Sequence, residues 1–113
     1  MVGEAGGGGA ASKPPRPEQL LAIIRERAER SDRVVLTFHA LERMEQRDIT
    51  AVDVFGILRR GRIAGSIGRG KEPGDWVCKL VDRIKGTREA GVVTAVVRSG
   101  RLVIVTVEWE DRR

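Results

Sequence analysis

The chain has 113 residues, with 21 Lys and Arg against 16 Asp and Glu for a net charge of +5, and 41% of its residues are apolar. This length bounds it to one compact domain, and no apolar run approaches the roughly 20 residues of a spanning helix. One cysteine and one histidine furnish neither an internal disulfide nor the usual four-ligand zinc site.

Residues 1–16 hold Gly6 to Gly9 and Pro14-Pro15, a composition that cannot offset the entropy lost on ordering, and they read as a disordered tail ahead of a single domain over 17–113. This start has neither the cationic opening nor the apolar core of a signal peptide, and a lone thiol suits a reducing compartment, so the expected location is the cytoplasm, with no metal, cofactor or membrane partner. Pro17 suits the first position of a helix, and Leu20, Leu21, Ile24 and Ala28 form its apolar stripe, with an end near Arg30. Arg33 to Leu36 reads as a short strand. Thr37 is the N-cap of a second helix to Arg47, in which Phe38, Leu41 and Met44 are expected to share the buried face. Thr50 and Asp53 have capping-box spacing before the stripe Ala51, Val54, Phe55 and Leu58, and Gly61 closes this third helix.

Residues 61–74 are expected to be mostly loop, with a frayed edge strand over Arg62 to Ile67 at most. From Trp76 the period becomes two, giving a strand to Lys85 with one covered and one open face. Gly86 to Glu89 is the turn. Val92 to Val97 and Leu102 to Val107 are β-branched at nearly every position, the pattern of central strands, joined by a hairpin at Ser99-Gly100. The expected fold is α+β: N-terminal helices packed on a small, mainly antiparallel sheet of three to four strands.

The charge is polarised. Between Arg59 and Arg88 stand nine basic residues against Glu72, Asp75 and Asp82, a footprint for a polyanion or an acidic partner. Gly65 to Lys71 superficially fits a nucleotide-binding phosphate loop, but Glu72 stands where Ser or Thr must bind magnesium, and Pro73-Gly74 blocks the following helix. On the second helix His39, Arg43 and Arg47 recur every four residues, opposite the expected apolar face, where an imidazole can accept a proton. On the first long strand Lys79, Arg83 and Lys85 form a cationic stripe. Thr106 and Glu108 join its face only if the first hairpin contains a one-residue bulge, for which Gly86 or Gly91 is the natural place; without it they turn to the Leu80 face.

His39-Ala40 with Arg43-Met44, Arg47, Ile49 and the capped helix from Thr50 to Gly61 resembles the signature of the bacterial family called domain of unknown function 4258. Gly86 to Thr94, with Thr106 to Asp111, is similar to members encoded beside zinc-finger antitoxins. That family in turn resembles the RelE-like and motility quorum-sensing regulator-like toxins. The resemblance implies a small basic α+β protein that cuts messenger RNA, free or on the ribosome, without a metal and is silenced by a cognate antitoxin. Asp48 stands where the family more often has glycine. The chain has no tyrosine, so a Tyr-dependent mechanism is excluded.

Metal-independent RNA cleavage needs a base near the 2′-hydroxyl, a proton donor for the leaving oxygen and cations for the developing charge. His39 or Glu108 is the candidate base and Lys79 the stabiliser or acid, while Arg43, Arg47, Arg83, Lys85 and Arg88 are candidates for holding phosphates. The competing expectation is a non-catalytic basic module that docks an acidic protein partner or RNA.

Overall fold

The computed structural model describes residues 13–111, so the tail expected over 1–16 falls largely outside the described residues. Pro17 opens α1 (Pro17–Ala28), where its missing N–H is no loss, and the Arg16 backbone N–H donates to Gln19 Oε1 at 3.1 Å. Leu20, Ile24 and Ala28 are fully buried, as the stripe requires. A 3-10 turn (Ser31–Arg33) then leads into the short strand β1 (Val34–Leu36).

Thr37 caps α2 (Phe38–Arg47): its Oγ1 accepts the Ala40 N–H at 3.0 Å and donates to the Ile104 carbonyl at 2.8 Å. This double bond to helix and sheet fixes the rotation of α2 about its axis and corrects the expected face. Ala40 and Met44 are buried, whereas Phe38 is 88% and Leu41 43% exposed. Small Ala40, not Phe38, faces the sheet. Asp48 ends α2 in the left-handed region (φ 57), a conformation that aspartate tolerates better than most residues, so it does the work of a glycine cap.

Before α3 (Ala51–Arg60) the capping box forms in both directions: the Asp53 N–H donates to Thr50 Oγ1 at 3.1 Å and the Thr50 N–H to Asp53 Oδ2 at 2.9 Å. Val54, Ile57 and Leu58 are buried. Gly61 does cap this helix, but at φ −74 it is not needed for left-handed backbone. A Cβ there would lie 2.7 Å from the Ile57 carbonyl and 3.0 Å from that of Val81, so close approach of α3 to the sheet explains the glycine.

The sheet has five strands where three to four were expected, in the order β1-β5-β4-β3-β2. Beside the three long antiparallel strands stand β1, the short strand expected near Arg33 to Leu36, which pairs parallel to β5 (Leu102–Trp109), and β2 (Arg62–Arg69), which pairs antiparallel to β3 (Trp76–Lys85). Much of the segment expected as loop is therefore strand. Its glycines hide the ladder: Ile63 pairs with Leu80, and the register breaks between Ala64 and Gly68, where Gly65 takes φ +81. β4 (Arg88–Val96) is central, antiparallel to both β3 and β5.

Helices α2 and α3 pack on β5 and β3, and α1 packs on α3 and β2. The covered sheet face supplies Cys78, Leu80, Ala90, Val92, Val96, Leu102, Ile104, Val107 and Trp109 to one core with the helices. Burial of each large side chain there is worth about 1.5–3 kcal/mol relative to exposure. Every other strand residue points to the opposite face, against which no described helix packs.

Candidate functional site

Two irregularities decide what the open face carries. The first hairpin turns on two residues, Gly86 (φ 62) and Thr87, and its register shifts between Arg83 and Lys85. A second shift, between Val93 and Thr94, leaves Val105 as the extra residue of β5. Together they align Lys79 with Val93 and Thr106, and Val81 with Gly91 and Glu108, on one face. The bulge on which Lys79 and Glu108 depended is present, beside Gly86. It also breaks the cationic stripe. Lys85, opposite Arg88 across the turn, swings to the helix side and pairs with Asp48 at 3.4 Å, leaving Lys79 and Arg83 on the open face.

At one end of that face Lys79 Nζ donates to Glu110 Oε1 at 2.9 Å and to Glu108 Oε2 at 3.2 Å. The bond to Glu110, and behind it that to Glu108, holds the ammonium above the ordinary lysine value against the opposing pull of partial burial. Lys79 therefore acts as a fixed cation and not as a base. Gly91 lies beneath: a Cβ on it would meet Glu110 Oε2 at 2.6 Å and Lys79 Cδ at 2.9 Å, so the cluster forms only over a bare backbone. Glu110 Oε2 itself is buried without a hydrogen-bond partner among the described residues. The sequence reading missed Glu110, although its place two residues beyond Glu108 on a period-two strand was a usable signal.

Much of the basic run is neutralised by acids within it and from elsewhere in the chain. Arg62 pairs with Glu89 at 3.2 Å and Arg60 with Asp82 at 3.9 Å. Arg88 grips Asp111 through two nitrogens, at 3.0 and 3.2 Å, and lies 3.9 Å over the ring of Trp109. Arg83 and Lys71 have no ion pair among the described residues. Trp109 in turn donates its indole N–H to the Arg47 carbonyl at 3.0 Å, joining the end of β5 to the end of α2.

The other end of the open face is an apolar trough of about 510 Å³. Its floor is Val77, Ala95, Val97, Val103 and Val105, and its banks hold Thr37 and His39 on one side and Gly70, Lys71 and Asp75 on the other. His39 thus borders the trough, while Lys79 and Glu108 do not line it. Arg43 bonds Gln46 at 2.6 Å along its own helix, and Arg47 is half-buried at the end of α2. Of the predicted residues, the structure brings Lys79 and Glu108 into contact and leaves His39 at the trough. Arg43 and Arg47 remain on α2, and near the first hairpin Lys85 pairs with Asp48 and Arg88 with Asp111.

A family model described as a domain of unknown function, DUF4258, matches residues 36–109, from the last residue of β1 to the last of β5. The chain belongs to the DUF4258 family. No curated protein and no solved structure matches it. The DUF4258 match includes α2, α3 and β2 to β5, and so both halves of the open face. Helix α1 lies ahead of the match, yet Leu20, Ile24 and Ala28 are as deeply buried as any residue within it.

Proposed function

We propose that this chain is the toxin component of a bacterial toxin–antitoxin pair, with a RelE-like working face, and that it cleaves messenger RNA without a metal ion at the charged end of the open sheet. The single observation that supports this is the contact between Lys79 and Glu108 at 3.2 Å, on a face against which no described helix packs. Glu108 is the base: it takes the proton of a 2′-hydroxyl, the 2′-oxygen bonds to the adjacent phosphorus, and the bond to the 5′-oxygen breaks. Lys79 steadies the charge on the phosphoryl oxygens and supplies the proton to the leaving oxygen, while Arg83 holds a neighbouring phosphate.

The test incubates the full chain with messenger RNA in chelator. Fragments ending in 2′,3′-cyclic phosphate are expected, and Glu108→Gln and Lys79→Met should each slow their formation by about 10²-fold or more. Intact RNA overturns the reading. Loss of cleavage in His39→Ala with Lys79→Met fully active would move the chemistry to the trough.

A second reading, a non-catalytic module that docks an acidic protein or RNA, is favoured by one feature. At the charged end Arg62, Lys79 and Arg83 face Glu89, Glu108 and Glu110, equal in number, which weakens the pull on a reacting phosphate chain there, whereas Lys71 at the other end has no ion pair among the described residues and is left to attract an acidic partner. Its signature is salt-sensitive binding without cleavage.

A further inference from the structure

The trough is a sheet face built like a core and left without a second layer. β4 and β5 alternate between two apolar sets: Val92, Val96, Leu102 and Ile104 under the helices, and Ala95, Val97, Val103 and Val105 on the open side. Sheets that face water normally carry polar residues on the wet side. Here the apolar surface continues to Val35, which is 37% exposed and in register with Val103. A contiguous exposed apolar patch of this kind marks a contact surface.

We infer that the trough is the docking site for an amphipathic helix of an acidic partner protein. The floor runs over three strands, β3, β4 and β5, and two strand spacings of about 4.8 Å set its outer strand axes roughly 10 Å apart. That is the diameter of an α-helix with its side chains. Ala95, between Val77 and Val103 in one cross-strand row, gives the floor its hollow.

The charges choose the partner. Lys71 on one bank, and Arg98 and Arg101 at the turn where the trough opens, have no ion pair among the described residues. Asp75, the acid lining the trough, is buried and committed to the Arg98 backbone N–H at 2.9 Å. Carboxylates flanking an apolar helix face complement this rim. A second copy would bring the same cations against themselves. RNA would find no ring to stack on and no polar group to read on a floor of valine and alanine, and the His39 ring on one bank, with exposed Phe38 next to it in the chain, falls short of the row of rings that single-strand binding uses. The first twelve residues of this chain offer only Met1 and Val2 as large apolar side chains and Glu4 as an acid. The site is separate from the Lys79 cluster and does not rest on RNA cleavage.

The test uses the full chain and three probes: a synthetic helical peptide with leucines on one face flanked by glutamates, the same peptide with lysines for glutamates, and a short single-stranded RNA. Binding is followed by fluorescence anisotropy and by methyl NMR of the valines. The acidic peptide should bind and shift Val77, Val103 and Val105. Lys71→Glu with Arg98→Glu, both at exposed positions and tested in protein whose melt matches wild type, should weaken it by about tenfold or more, the equivalent of 1.4 kcal/mol. Ala95→Leu, which fills the hollow, should weaken it as well, with a thermal melt to check folding. The inference fails if the acidic peptide does not bind, if the basic peptide binds equally, or if RNA shifts the same valines. It fails also if the free chain is a dimer that Lys71→Glu does not disturb and Ala95→Leu dissociates, since a second copy then covers the trough.

Discussion

At the scale of single residues the charged cluster is governed by what is missing at position 91. Any side chain there occupies the space of Lys79 and Glu110. Gly91→Ala should therefore cost about 1 kcal/mol, because the flexible ends of both side chains can move aside, but it should part Lys79 from Glu110 and so disturb the site far more than the fold. Thermal unfolding read beside RNA cleavage checks this: a melt within a few degrees of wild type with cleavage sharply reduced is expected, and cleavage at the wild-type rate would show that the cluster need not be intact. The sequence made Lys79 and Glu108 visible as candidates, because their types and spacing are local facts. Whether they met depended on a bulge between Arg83 and Lys85, a choice made by pairing with β4. The same bulge turned Lys85 to Asp48, which no period-two count along β3 foretells.

At the scale of elements, the parts most legible in the sequence were those fixed by local chemistry. Thr37, Thr50 with Asp53, and Pro17 sit at the helix starts they predict, because capping satisfies N–H groups only a few residues away. The face of α2 was not legible, since four apolar residues in ten, Phe38, Ala40, Leu41 and Met44, leave its rotation open until Thr37 is tied to Ile104. β2 was hidden for a related reason: its glycines carry little strand propensity, and its pairing with β3 supplies the missing stabilisation. Thr37 thus serves both as cap and as bolt. Thr37→Ala removes a cap worth about 1 kcal/mol and the hydroxyl bond to the sheet, for an expected loss of about 1–2 kcal/mol in urea denaturation, which Thr37→Ser should largely restore. Should the serine variant be as unstable as the alanine one, the threonine methyl and not the hydroxyl would be the stabilising group.

At the scale of the whole molecule, the chain is a two-layer sandwich of helices and sheet whose second sheet face is divided between an ion cluster and an apolar trough. The valine-rich strands were read correctly as central, but β-branched runs imply cover on both faces, and one of those faces is open among the described residues. Cys78, at the middle of β3 beneath the helices, and Lys79, its neighbour on the other face, report the two sides of this sandwich. Burial pushes the Cys78 thiol up to about 11, and the carboxylates hold Lys79 above its ordinary value. Both groups keep their protons in the folded chain at a pH where the unfolded chain has released them. The folded state then binds more protons, and stability must fall as pH rises. The contribution of Cys78 is complete below about pH 9, the value for an exposed thiol, and declines through pH 11 by about 3 kcal/mol at 1.36 kcal/mol per unit. That of Lys79 begins to decline only above the ordinary lysine value of 10.5. Urea midpoints measured between pH 8 and 11 should therefore drop in wild type, while Cys78→Ala, less stable at pH 8 because of the cavity it leaves, should lose much less over the same interval. Parallel profiles for the two proteins would mean that the thiol ionises as easily in the folded chain as in the unfolded one, and that the helices do not seal this side of the sheet.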